Sequence, residues 1–276
     1  MTGSIIYIND ICNQNCVFCC GIGKKMSKDK YKPIIDKAKR RLIISGGEPP
    51  ISKDLSVILK LSKENKNIKE IELQSNGAIF LYKKIINKIE KHKSITEYNI
   101  NFPSFDKETD KIITKSTFFG HRVKGIKNLI DKRLNVRLTF VINKLNYKQM
   151  TNYLRFIYKE FNNKPSVQFS FIQIQGNVIF NDIAPQYKNI KSELIKSLKF
   201  AKENKIKCFV DNIPLCISHP YNDMNIDYLK KKIGDTSFYE KKKVNQCKNC
   251  KLNEMCFGPP TDYVGVYGEK EFKPIK

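Results

Sequence analysis

Several things are scarce in this sequence of 276 residues. No apolar run approaches the ~20 residues needed to cross a bilayer, so a membrane-spanning helix is not expected. The N-terminus lacks the charged-then-apolar layout of a secretory signal, which suggests a cytoplasmic address. There are three histidines, His92, His121 and His219, scattered along the chain; no histidine-built metal or catalytic site is indicated. Only six of the 51 basic residues are arginine (Arg40, Arg41, Arg122, Arg133, Arg137 and Arg155). No motif recurs at a fixed period, which excludes a solenoid.

What is present has two parts. Fifty-one Lys and Arg against 27 Asp and Glu leave a formal charge of +24. The lysines are spread over the whole chain among many Asn and Ile, the look of compositional bias, with an acidic partner as the alternative; nucleic-acid binders cluster their basic residues on one face. Nucleic acid and membrane are therefore not expected partners. Apolar residues make up 41% of the chain, enough for a sizeable core and against general disorder. The nine cysteines are the second part. In a reducing compartment they favour metal ligation over disulfides.

Hydrophobic periodicity gives an alternating order. Strands are predicted at 4–8, 41–44, 68–73, 97–102, 135–142, 167–174 and 206–210. Helices are predicted at 53–65, 81–91, 121–132, 148–161 and 193–205. About six βα units in succession argue for a parallel sheet with helices outside it. After residue 211 Pro, Gly and Cys become frequent and long periodic helices vanish. The expected division is a β/α core at 1–211 and a small Cys-rich segment at 212–276.

Two cysteine groups carry the chemistry. Cys12-x3-Cys16-x2-Cys19 follows the first strand. Three thiolates this close can converge on one metal centre. A structural zinc wants four ligands, and Cys20, adjacent to Cys19, is poorly placed to be the fourth. A four-iron cluster on three cysteines keeps one iron open; zinc and free thiols remain alternatives. Cys247-x2-Cys250-x5-Cys256, with Cys216 upstream, makes a complete set of four ligands, for which zinc and a fully ligated iron–sulfur cluster compete. Cys208, within a strand, reads as a buried thiol.

A strand followed by Cys12-x3-Cys16-x-Phe18-Cys19 resembles the signature of the radical S-adenosylmethionine (SAM) superfamily. Ser45-Gly46-Gly47-Glu48-Pro49, one βα unit later, resembles that family's GGE motif. The resemblance implies an α/β fold, a partial (β/α)6 barrel. It implies a [4Fe-4S] cluster on Cys12, Cys16 and Cys19, with SAM across the C-terminal strand edges. There the cluster reductively cleaves SAM to a 5′-deoxyadenosyl radical that takes hydrogen from a substrate. It further implies Phe18 near the adenine, Gly46 and Gly47 approaching the ligand closely, and Glu48 on the SAM amino group. Ser75, Asn76, Ser104, Asn143 and Gly176, after strands three to six, become candidate SAM contacts. Arg137, within the fifth strand, and Asp106 are weaker candidates, with a surface strand residue and a helix cap as the plain alternatives. The second group resembles the SPASM/twitch extension, lacking its final Cys-x3-Cys, which implies one auxiliary [4Fe-4S] cluster on Cys216, Cys247, Cys250 and Cys256. An electron-donor protein of flavodoxin or ferredoxin type is implied as a partner.

Such extensions accompany peptide modification (thioether formation, epimerisation, crosslinking) or small-molecule oxidation. A peptide substrate is the leading expectation; a small-molecule dehydrogenase or cofactor-biosynthesis step is the alternative. The sequence begins at the first strand, so leader recognition would fall to a separate protein or to the basic surface. The molybdenum-cofactor cyclase branch ends in a Gly-rich, Arg-containing tail, unlike Glu269 to Lys276. From a different class, a non-catalytic zinc protein that binds RNA electrostatically has the charge and Cys-x2-Cys in its favour. Metal analysis separates these. Two four-iron clusters require about eight iron and eight sulfide per chain after anaerobic reconstitution; zinc without sulfide would sink the enzyme reading.

Overall fold

The computed structural model describes residues 4–21, 25–235 and 240–276. Seven strands run in sequence order across one sheet: β1 (Ser4–Tyr7), β2 (Arg40–Ser45), β3 (Ile68–Ser75), β4 (Glu97–Asn101), β5 (Val136–Ile142), β6 (Ser166–Phe171) and β7 (Cys208–Asp211). Every neighbouring pair is parallel. Among the described residues β1 and β7 do not pair. The result is an open, partial (β/α)6 barrel with a seventh strand at its edge.

Alternation along each strand explains the layering. One set of side chains is apolar and buried: Ile6, Leu42 and Ile44, Leu73, Ile100, Leu138 and Phe140, Val167 and Phe169, Val210. These pack under the helices α1 (Tyr31–Lys37), α2 (Leu55–Glu64), α3 (Lys83–Glu90), α4 (Lys107–Thr114), α5 (Phe119–Asp131), α6 (Met150–Phe161), α7 (Asn177–Asn181) and α8 (Tyr187–Glu203). Each such side chain contributes roughly 1.5–3 kcal/mol by leaving water. After β7 come only short helices, α9 (Leu215–Ser218), α10 (Ile226–Lys232) and α11 (Thr261–Tyr267). Tyr263 of α11 is fully buried against Tyr187, Phe171 and Phe272, which fastens the C-terminal segment to the core.

The alternate set faces the barrel interior and is polar. Ser45 donates to Gln74 at 2.7 Å, Gln74 to Glu72 at 3.0 Å, and Asn99 to Glu72 at 2.7 Å. Arg137 pairs with Glu72 at 2.9 Å and Glu97 at 3.2 Å, and Arg41 pairs with the same two carboxylates. Burial pushes the Glu72 carboxyl up, but the two guanidiniums outweigh it and hold it at about 2. Arg137 is thus not a surface residue; it is part of an interior ion-pair layer.

Element boundaries differ from the sequence expectation where polar spacing hid the ends. Strand β6 stops at Phe171, not 174, and α8 starts at Tyr187, six residues before the expected 193. Helix α1, short and Lys-rich, was not anticipated.

One close crossing fixes α5 over the end of β3. A Cβ on Gly125 would lie 2.3 Å from the Gly77 carbonyl oxygen, whereas one on Gly120 would meet nothing within 4 Å. Gly125→Ala should therefore cost about 1–3 kcal/mol by overpacking. Gly120→Ala on the same helix should be neutral or stabilising by up to about 1 kcal/mol. Thermal melts of the two variants check this; equal melting would contradict the crossing.

Candidate active site

The strand C-termini gather the first site. The turn after β2 docks on the loop after β1 through backbone: the Glu48 N–H donates to the Ile11 carbonyl at 2.8 Å. Gly46 and Gly47 adopt positive φ, +89° and +54°. A Cβ on Gly47 would stand 2.3 Å from Ile11 O, and one on Gly46 would stand 2.8 Å from Asn9 O. Only glycine fits both the conformation and the space. The close approach the glycines permit in this structure is to the loop after β1.

Glu48 is 1% exposed. Its carboxylate accepts from the Ser75 hydroxyl and, at 2.7 Å, from the Asn76 N–H. Asn76 donates its side-chain amide to Asn13 at 2.6 Å and lies 3.9 Å from Cys12 Sγ. Glu48, Ser75, Asn76 and the cysteine loop therefore form one connected group. Burial pushes the Glu48 carboxyl up to about 7, although the Asn76 N–H, the Ser75 hydroxyl and the Arg122 charge pull against it.

The loop of Cys12, Cys16 and Cys19 is held from two other sides. The N–H groups of Asn15 and Val17 donate to the last carbonyls of α4, Thr114 at 3.2 Å and Ile113 at 2.9 Å. Gly176, at the start of α7, would clash with Cys19 O if it carried a Cβ, at 2.5 Å; the Asn177 side chain donates to Cys16 O at 3.0 Å. Phe18 is half-buried against the core. Cys12 is exposed, and desolvation pushes the Cys16 thiol up to about 12.

Ser104 and Asn143 stand at the ends of β4 and β5 and are engaged locally. Ser104 accepts from the Asp106 N–H at 3.0 Å, and Asn143 accepts from Leu145 N–H and donates to Val141 O, both at 2.9 Å. Asp106 caps α4 by accepting from Thr109 N–H at 2.8 Å. Two residues escaped sequence reasoning. Arg122, fully buried, donates from Nε to Asn76 O at 2.8 Å and pairs with Asp110. Asn146 donates to Pro103 O at 2.9 Å and joins the β4 and β5 ends. A buried arginine on a helix that reads as an ordinary amphipathic stretch gives no local signal.

A second pocket, with an empty volume of ≈ 410 Å³ that includes open solvent, is lined by Cys216, Cys247, Cys250 and Cys256 together. Desolvation and the neighbouring thiols push Cys216 up to about 12. The Gly258 N–H donates to Cys256 Sγ at 3.3 Å and the Ile275 N–H to Cys250 Sγ at 3.4 Å, which are contacts that suit thiolate ligands. Among the described residues no three His, Cys, Asp or Glu side chains meet closely enough to grip one metal ion. A four-iron cluster, which takes one thiolate at each corner, does not ask for that convergence. Among the described residues no helix is long and apolar enough to cross a membrane.

The family model described as Radical SAM superfamily matches residues 6–157. A Probable GTP 3′,8-cyclase of Methanocaldococcus jannaschii is 25% identical over 230 residues, 79% of this chain and 76% of that protein. One of Saccharolobus islandicus is 29% identical over 188 residues, 64% of this chain and 54% of that protein, so the chain spans about half of it. Two solved structures share the fold. Native anSMEcpe with bound AdoMet and Kp18Cys peptide has a TM-score of 0.63 at 16% identity, covering 98% of this chain and 81% of that one. Streptococcus suis SuiB bound to precursor peptide SuiA has a TM-score of 0.66 at 14% identity, covering 98% and 74%.

The Glu48 environment makes a pH prediction. A carboxyl whose folded pKa stands above its unfolded value binds more protons when folded, so its contribution falls as pH rises from about 4.5 to about 7. Replacing Glu48 by Gln should raise stability relative to wild type above pH 7 by up to about 3 kcal/mol and change it little at pH 4. Denaturant melts of the metal-free protein at both pH values check the sign.

Proposed function

The chain belongs to the radical SAM superfamily, and we propose that it is a peptide-modifying member with one auxiliary cluster. The cofactors of this iron–sulfur enzyme family, a [4Fe-4S] cluster and SAM, together supply a carbon-centred radical that abstracts substrate hydrogen. Cys12, Cys16 and Cys19 would hold the first cluster. Asn76 and Asn13 would fix the loop that carries it. Gly46 and Gly47 would keep the turn of Glu48 against that loop. Glu48, near neutrality in its proton affinity, would meet the SAM amino group at the edge where Ser75 and Asn76 already bind it. Phe18, Ser104, Asn143 and Gly176 remain proposed SAM neighbours. Residues 212–276 would form the auxiliary segment, with Cys216, Cys247, Cys250 and Cys256 holding the second cluster. An external low-potential electron donor completes the set.

The observation that carries the peptide reading is the chemistry of the barrel interior. It is lined by amides and hydroxyls (Gln74, Asn99, Thr139, Gln168, Ser170) that bond one another, Glu72 and Asp211, a polar lining of the kind that suits peptide backbone. Its guanidiniums, Arg41 and Arg137, are already matched to Glu72 and Glu97. Peptide-bound neighbours of the same fold, aligned over 98% of this chain, support it. The second reading is a small-molecule reaction on a purine nucleotide, favoured by the relatives named as GTP 3′,8-cyclases.

The test uses the reconstituted full chain. Changing Cys12, Cys16 and Cys19 to Ala should abolish SAM cleavage and leave about half the iron. Changing Cys247, Cys250 and Cys256 should leave SAM cleavage measurable and stop substrate turnover. A peptide from a short Cys- or Gly-rich reading frame beside its gene should show a mass change in the product. Turnover of GTP with no change in such peptides would replace the peptide reading by the nucleotide one.

A further inference from the structure

The buried pair of Arg122 and Asp110 is the least expected charge in the protein. Both side chains are 0% exposed, and they join α5 to α4. Arg122 Nη2 and Asp110 Oδ2 have no hydrogen-bond partner. Replacing such a pair by apolar residues of like volume is often neutral or stabilising, because desolvating two ions offsets most of their attraction. Stability alone therefore gives little reason for it, and its surroundings supply another.

Arg122 touches the first site from behind. Its Nε–H donates to the carbonyl of Asn76 at 2.8 Å, and the side chain of the same Asn76 reaches Asn13 and Cys12. Asp110 sits on α4, whose last carbonyls, Ile113 and Thr114, accept from the N–H groups of Val17 and Asn15 in the cysteine loop. Those carbonyls form the negative end of a helix dipole aimed at thiolates. The guanidinium is the opposing charge. Of the pair, Arg122 is the member that bonds the Asn76 turn, so the cation rather than the carboxylate is joined to the group that reaches Cys12.

We infer that Arg122, anchored by Asp110, is a positioning residue that sets the electrostatic environment of the first cluster and so raises its reduction potential. This rests on the reading of Cys12, Cys16 and Cys19 as the ligands. Adding an electron makes a thiolate-ligated cluster more negative, and a fixed buried cation favours that state; net charge and hydrogen bonding around the sulfurs are established determinants of cluster potential. The Nη2 of the same guanidinium has no hydrogen-bond partner. Arginine suits the task because it keeps its charge when buried and can hold Asn76 O and Asp110 at once.

The test is an EPR-monitored redox titration of the reconstituted full chain, with the auxiliary cluster as internal reference. In Asp110→Leu/Arg122→Met the reduced-to-oxidised ratio of the first cluster at a fixed potential should fall about tenfold, a midpoint lower by about 59 mV for one electron. Asp110→Asn/Arg122→Gln should do the same, and covers the case in which the apolar pair does not fold. Arg122→Lys, which keeps the charge, should stay within about twofold of wild type. The auxiliary midpoint should not move in any of them. An unchanged first-cluster midpoint in both neutral pairs, or parallel movement of both clusters, overturns the inference. Failure of the underlying reading looks different: the first-cluster signal would survive Cys12, Cys16 and Cys19 changed to Ala.

Discussion

The contact on which the first site depends is a backbone one, the docking of the Gly46–Glu48 turn onto the loop that follows β1. It places a carboxylate in a fully buried position, where it must be matched. Ser75 and the Asn76 N–H match it, and in doing so bind the end of β3 to the same junction. Asn76 then reaches forward to the cysteine loop and backward to Arg122. Three strand ends and two helices are thus tied together by groups that all converge around one residue, Glu48. Losing the glycines would push the turn away and leave a buried carboxylate without its partners, the costly arrangement that buried charge imposes.

Charge inside this protein is handled in two ways. At the floor of the barrel Arg41, Arg137, Glu72 and Glu97 pair with one another, and above them Asp211 stands among amides and hydroxyls. Behind the first cysteine loop a single pair, Arg122 and Asp110, is fully buried, and each member keeps an unsatisfied atom. The net charge of +24, the loudest number in the composition, takes part in neither, because the exposed lysines that make it up are screened by solvent.

The two cysteine groups share a logic. Each sits on short, irregular backbone pinned by N–H donors to carbonyls or sulfurs, so the chain spends hydrogen bonds rather than regular structure to fix its thiols. The first lies at the strand edge, where parallel α/β folds place their chemistry. The second lies in a segment fastened to the core by Tyr263, whose ring packs on Tyr187 and whose hydroxyl accepts from the Tyr187 N–H at 2.9 Å. The aromatic residues after the last cysteine therefore serve attachment of the segment.

Much of this was legible beforehand. The order of strands, the helices between them and the two cysteine groups follow from spacing and periodicity, which are local properties that the chain carries wherever it folds; the GGE turn was legible through the family resemblance. Ser75, Asn76 and Glu48 could be named as site residues, but not that they bind one another. Arg122 was not readable, nor was the pairing of Arg137 with Glu72 and Glu97, nor the short helix α1. An arginine has the same letters whether it faces water, a barrel interior or the back of a metal site. Sequence by itself determined the fold class and the edge of the sheet where the first cysteine group would lie. Tertiary structure alone decided which charges would be buried together, because burial depends on what the rest of the chain brings to the same place.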